Sequence, residues 1–284
     1  MDIEVEVANT NHSAWRWKNT KRKTDKDDAL KLAQLSAMNQ LPTVHVPARS
    51  TRQWRALIEY RQKLVQRQTA SKNQIRAILE RESMSLPTGT RGFTQKALDA
   101  LDDETELLKQ VETNELWRGM LHVETTYLEH VRGLIKEVER KLNAIAKQDE
   151  NVRRLQTIPG VGARLSEAVV AVLDDARRFK TAKQVGAYIG LVPKQYQSGQ
   201  MNRHARITGT GNRTLRTLLV EVAWIGLRFN PWMRQVYERV RAGSGARKKV
   251  AIVAVARRLL IRCWAMLRDQ TAWRDPTPVG AGTP

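Results

Sequence analysis

The chain has little cysteine, one residue in 284, at Cys263. A lone thiol excludes an internal disulfide and a zinc site built from several thiolates, and it fits a reducing cytoplasm. Long hydrophobic runs are also missing. The best candidate, Val250–Ala256, is cut off by Arg257 and Arg258, far short of the ~20 residues a membrane span needs. The N-terminal MDIEVEV is acidic and lacks the apolar core of a signal peptide. Acidic residues are scarce in only one half. Residues 151–284 hold 24 basic and 7 acidic side chains, a balance of +17, whereas residues 1–150 hold 25 and 22, a balance of +3. A polycation of this kind calls for a polyanion, with nucleic acid ahead of an anionic membrane surface. Hydrophobic residues make up 41%, enough to bury a core.

The apolar periodicity predicts a mainly α chain. Residues 2–8, DIEVEVA, alternate and read as a short strand. A basic stretch follows to Lys23, and then Thr24 can cap a helix whose first turn is acidic. The segment LPTVHVPA reads as an extended connector. Helical spacing runs from about Ser50 to Ser83, again through Leu108 and Val111, and again from about Asn114 to Lys147. In the last of these, Leu121, Leu128, Ile135 and Leu142 are seven apart, as are Val131, Val138 and Ile145. Such a heptad seam predicts an antiparallel helical hairpin or coiled coil, and it suits self-association into a homo-oligomer. Further helices are expected at 163–174, 181–189, 210–228 and 246–268, with Pro231, Gly243 and Gly245 separating the last two and a flexible tail after them. The chain thus divides into segments 1–46, 47–150 and 151–284.

Three constellations can carry chemistry. In IPGVG, Gly160, Val161 and Gly162 lie between two helical patterns, with Arg153, Arg154 and Arg164 close by. Glycines let backbone amides approach a phosphate, and the next helix N-terminus adds partial positive charge. This is the pattern of a helix-hairpin-helix that grips DNA; a plain helix–helix turn is the alternative. In the second, residues 197–219, Ser198 precedes Gly199 in a turn, and Arg203, His204, Arg206, Asn212, Arg213 and Arg216 follow. These side chains can hold a phosphate while a serine attacks it, or they form a solvated basic loop. In the third, KTDKDDA, Asp25 and Asp28 share a helix face while Asp27 points elsewhere. Paired carboxylates bind Mg²⁺ and orient a phosphodiester, or they merely favour the helix dipole. Trp54, Trp117, Trp224 and Trp264 fall on apolar helix faces and read as core. Trp15 and Trp17, among basic residues, suit either packing or stacking on bases.

IPGVG, RRFKTAKQVGAYIGLVPKQYQSG and ITGTGNRTLRTLLVEVA, in that order, resemble the C-terminal domain of insertion-sequence transposases of the IS-one-ten type. KTDKDDA is similar to the same family's KTDxxDA motif, and the likeness covers nearly the whole chain. The resemblance implies a DNA recombinase with an N-terminal RuvC-like domain, RNase H-like in fold. Four acids of that domain, Asp-Glu-Asp-Asp, bind Mg²⁺, and a C-terminal domain supplies a serine nucleophile. It further implies oligomers and a structured guide RNA that pairs with donor and target DNA. By position, Asp25 and Asp28 match the last two acids and Ser198 matches the nucleophile. Arg203, Arg206, Arg213 and Arg216 are assigned to phosphate on electrostatic grounds alone. The family's first Asp and its Glu have no counterpart here, because Asp2, Glu4 and Glu6 resemble a later strand. The expectation is a chain that starts inside the fold with two of the four acids.

Two functional classes follow. One is an enzyme that cuts and rejoins DNA. The other is a nucleic-acid-binding protein without chemistry, a relic or a regulator of transposition. Salt-sensitive binding is common to both, and turnover or a covalent adduct separates them. A membrane-surface role for the basic, apolar helix at 246–268 is the weakest fit.

Overall fold

The computed structural model describes residues 6–9, 24–198 and 201–275, with the backbone alone for 194–206. Two compact units, Met1–Ser50 and Thr51–Pro284, make up the chain. The fold is mainly helical, as the periodicity predicts. The basic stretch before Thr24 with Trp15 and Trp17, the acids Asp2 and Glu4, and the tail from residue 276 lie outside the described residues.

In the first unit, helix α1 spans Asp25–Ala37. Its start is a capping box. Asp27 N–H donates to Thr24 Oγ1 at 3.3 Å, while Thr24 N–H and Oγ1–H donate to Asp27 Oδ2 at 3.2 and 2.6 Å. Of the expected strand at 2–8, the described part forms one antiparallel bridge, Ala8 to Thr43. Asn9 N–H donates to the Pro42 carbonyl and Val44 N–H to the Val7 carbonyl. The Pro-flanked connector thus lends backbone groups to a neighbour.

The second unit holds all but the first two residues of α2 (Arg49–Arg81) and, after a short α3 (Gln95–Asp102), the equally long α4 (Leu116–Gln148). These two long helices run antiparallel. Arg61 pairs with Glu139 at 2.6 Å, Ser71 Oγ donates to Glu124 Oε2 at 2.8 Å, and Ile75 and Ile78 pack in one cluster with Leu121 and Leu128. The seven-residue row Leu121, Leu128, Ile135 and Leu142 is buried throughout, in clusters shared with α2. Phe93, Leu98 and Leu101 close the far end of the pair.

The pattern read as helix through Leu108 and Val111 stops at Asp102. Asp102, Asp103 and Glu104 put negative charge at a C-terminus, where the helix dipole disfavours it. Thr105 then turns the chain, its Oγ1 donating to the Asp102 carbonyl at 2.9 Å, and Arg118 holds Glu104 at 3.6 Å.

The remaining elements are α5 (Glu150–Leu155), α6 (Ala163–Leu173), α7 (Ala182–Ile189), a hairpin of β1 (Pro193–Ser198) and β2 (Met201–Ile207), then α8 (Arg213–Phe229), α9 (Pro231–Arg241) and α10 (Lys248–Asp269). Helix α9 occupies the stretch read as a break. Asn230 caps it, accepting from Met233 N–H at 3.3 Å, and Pro231 sits at its first position, where the missing N–H costs nothing. The hairpin replaces the expected loop around Ser198. Helix α10 is central: ten of its residues are buried, and it packs on α5, α6, α7, α8 and α9. One core cluster joins these helices with Ile58 of α2 and Leu142 and Ala146 of α4, and Arg55 of α2 donates to the Val172 carbonyl of α6 at 3.0 Å. The helical pair and the basic C-terminal segment therefore share a core.

Of the four tryptophans read as core, Trp264 is fully packed, its Nε1–H donating to the Ala176 carbonyl at 2.8 Å. Trp54 and Trp117 are partly buried. Trp224 is 44% exposed, since α8 turns that side to solvent. Cys263 is completely buried, and burial pushes its thiol up to about 12, so it is unreactive.

Candidate active site and nucleic-acid interface

Ser198 is the last residue of β1 and pairs in register with Met201. It therefore stands at the far end of a two-stranded ribbon. Arg203 pairs with Tyr196 on the same ribbon, His204 with Gln195, and Arg206 lies next to the base pair Pro193–Ile207. The side chains of 194–206, and Gly199 altogether, lie outside the described residues.

The base of the ribbon is fastened by backbone contacts that only glycine permits. Gly190 ends α7 in the left-handed region, φ +73°, and a Cβ there would meet the Thr210 carbonyl oxygen at 2.2 Å. Gly211, φ +75°, lies as tightly on Tyr188. Thr208 N–H donates to the Val192 carbonyl at 2.9 Å and Gly209 N–H to Gly190 at 3.3 Å. The segments IGLVP and ITGTG are thereby stitched together on either side of the hairpin.

Arg216 completes this clamp. Its Nη1 donates to the carbonyls of Ile189 at 2.9 Å, Gly211 at 3.2 Å and Thr210. Burial, then the neighbouring Arg213, lowers its pKa. Asn212 is likewise engaged: its Oδ1 accepts from Leu215 N–H at 2.8 Å as the cap of α8, and its Nδ2 donates to Glu59 at 3.1 Å. Arg213, the first residue of α8, is exposed. Among the residues chosen for phosphate, Arg216 and Asn212 hold the framework and Arg213 faces solvent.

The IPGVG turn joins α5 to α6. Val161 N–H donates to the Ile158 carbonyl at 3.0 Å, and the Val161 side chain is buried in the core. Gly160, φ +85°, approaches α8 so closely that a Cβ would lie 3.2 Å from the Gly226 Cα. The buried Asn230 donates through Nδ2 to the Pro159 carbonyl at 3.4 Å. Gly162 caps α6, and a Cβ there would meet nothing within 4 Å. Arg164 is not free for a ligand: it pairs with Glu167 at 3.0 Å and donates to Asn143 of α4. Sequence reading missed Glu167, which is 1% exposed. Burial raises its carboxyl to about 7, while Arg164 and Arg61 pull it down and Glu139 pushes it up.

Asp25 and Asp28 lie one turn apart on α1, Asp25 exposed and Asp28 half-buried, and Asp27 is spent on the cap. They belong to the first unit and Ser198 to the second. Among the described residues, no group of three or more His, Cys, Asp or Glu could hold a metal. Two carboxylates at this spacing do fit Mg²⁺, which usually takes one or two from the protein and completes its shell with water and phosphate.

A family model described as "Transposase IS116/IS110/IS902 family" matches residues 152–238, the stretch from α5 to α9 with the hairpin at its centre. A second, a transposase model for the DEDD domain of IS110, matches residues 2–84. The transposase for insertion sequence element IS1111A of Coxiella burnetii is 30% identical over 89% of this chain and 68% of that protein. This chain belongs to the IS110-type transposases. A Pseudomonas aeruginosa protein named "Probable family 20 transposase" is 28% identical over 89% of the chain and 75% of that protein. The transposase for IS1328 of Yersinia enterocolitica is 30% identical over 71% of the chain and 59% of that protein. Within this transposase, the glycines and Arg216 of the matched segment brace the ribbon that carries Ser198. No helix among its described residues is long and apolar enough to cross a membrane.

Proposed function

We propose that this transposase cuts and rejoins DNA through Ser198, with Asp25 and Asp28 holding Mg²⁺. The observation that carries the reading is the setting of Ser198, at the end of a ribbon whose base Gly190, Gly211 and Arg216 hold fast. A braced base sets the reach of a nucleophile before the substrate arrives. Serine Oγ attacks phosphorus, a P–O bond to serine forms, and the P–O bond to one sugar oxygen breaks. The hydroxyl proton leaves to solvent, and the departing sugar oxygen takes one up. The serine ester conserves the phosphodiester, so a second sugar hydroxyl rejoins the strand by the reverse step. Bound Mg²⁺ supplies neutralisation of charge on the phosphate oxygens. Gly162, open at the start of α6, suits a backbone contact to DNA in a helix-hairpin-helix. Likeness to the family supports a RuvC-like setting for Asp25 and Asp28, a structured guide RNA and a homo-oligomer.

The test uses labelled duplex carrying an element end, with Mg²⁺, resolved on a denaturing gel. The native chain forms a protein–DNA adduct. Ser198→Ala forms none, yet binds the duplex within about twofold, because the substitution leaves the binding charges in place. Capture by Ser198→Ala overturns the serine assignment. Asp25→Asn reduces the Mg²⁺-dependent step, and unchanged cleavage removes Asp25 from the site.

A further inference from the structure

The basic half carries cations that its internal pairs do not consume. Arg164 and Arg216 are committed within the fold, but another group of cations gathers beside the base of the hairpin. Lys249, Arg257 and Arg258 of α10 line a cavity of about 720 Å³ whose remaining lining is apolar, Pro193, Ile207 and Val253 included. Burial, then the charges of Arg239 of α9 and of Arg257, lowers the Arg258 pKa. Among the described residues, none of these four has an acidic partner. Like charges without acidic partners repel, and a bound polyanion relieves that repulsion.

Arg257 is also pre-placed. A Cβ at Gly186 of α7 would lie 3.3 Å from its Nε, so the bare glycine leaves the slot the guanidinium occupies. That Nε is buried and has no hydrogen-bond acceptor in the protein, which leaves the outer guanidinium nitrogens as the ones a ligand in the groove would meet.

We propose that this groove holds the backbone of the DNA on which Ser198 acts, with Lys249, Arg257 and Arg258 on phosphates and the apolar side against sugars. The choice of DNA rests on the reading of Ser198 as the nucleophile. Pro193 and Ile207 line the groove and pair at the hairpin base, while Ser198 ends the same strand. At ~3.3 Å per residue the ribbon is about 17 Å long, or about five base pairs of duplex. The groove therefore contacts phosphates within about five nucleotides of the one joined to serine.

The test measures binding of the full chain to an element-end duplex and to single-stranded RNA of the same sequence, over a salt series. The variants are Lys249→Gln/Arg258→Gln, two exposed side chains whose loss leaves the core intact, and the triple variant with Arg257→Gln. Each phosphate contact contributes about 0.9 to the slope of log affinity against log salt. The triple variant is expected to lose about 2 to 3 from the duplex slope, and the double variant about 2, with unchanged circular dichroism. Blocking phosphates by alkylation should weaken native binding most within about five nucleotides of the joined phosphate. Unchanged duplex slopes in the double variant overturn the proposal, as does a loss confined to the RNA. A native chain that forms no adduct but shows the slope loss keeps the groove and sinks the serine reading. An adduct at Ser198 with unchanged slopes does the reverse.

Discussion

Gly211 lies so close to Tyr188 that a Cβ at position 211 would stand 2.0 Å from the Tyr188 carbonyl oxygen. The contact joins the loop after the hairpin to the helix before it. It makes Gly211→Ala a clash and a left-handed strain together, with an expected loss of about 2 kcal/mol or more. Gly209 has a similar φ of +68° but nothing within 4 Å, so Gly209→Ala should cost only about 1 kcal/mol. Urea melts of the two variants check this, and equal losses would contradict the clamp.

Arg216 tests the same clamp from its side chain. Three carbonyls accept from its Nη1, and Arg216→Ala leaves them unpaired. A loss of about 1–3 kcal/mol is expected. If Arg216 instead served mainly as a phosphate contact, stability would be unchanged and the salt slope of DNA binding would fall by about 0.9.

The carboxyl of Glu167 gives a pH signature. Its ordinary value of 4.5 is raised to about 7 in the fold, chiefly by burial. The folded state holds this proton more tightly than the unfolded chain does. Its contribution is therefore full below about pH 4.5 and is lost as pH rises through about 7. Between pH 4.5 and 8 the native chain should lose on the order of 2–3 kcal/mol that Glu167→Gln does not. Parallel pH profiles of unfolding free energy in the two proteins would contradict this account.

The two helical faces of α4 should respond differently. Leu128 is completely buried against α2, whereas Val123 is 50% exposed. Leu128→Ala is expected to cost about 2–5 kcal/mol, and Val123→Ala less than about 0.5 kcal/mol. Thermal denaturation of both at several concentrations checks this. A concentration-dependent melt lost with Leu128→Ala would place the heptad row between chains.

Local chemistry made much of the fold legible. Thr24 and the acids after it announce the start of α1, and the seven-residue row predicts α4 and its antiparallel partner. Pairs distant in sequence were not legible. Arg164 reads as a phosphate ligand until Asn143 and Glu167 are seen beside it. Arg216 and Asn212 read the same way until Ile189 and Glu59 appear as their partners. The polar run around Ser198 lacks apolar alternation, so its ribbon leaves no pattern in the sequence. Asn230–Pro231, a cap followed by proline, carries the signal for α9, although a proline between two helical patterns equally signals a break. The cations of the groove were invisible because Lys249 and Arg257 meet Pro193 and Ile207 only in the folded chain.

The most direct measurement is the identity of the residue joined to DNA. The adduct formed with the element-end duplex should be digested with nuclease and trypsin and read by tandem mass spectrometry. Cleavage after Lys194 and Arg203 releases one peptide holding both Tyr196 and Ser198. The account predicts a nucleotide mass on Ser198. The same mass on Tyr196, or on a peptide from elsewhere in the chain, would contradict it.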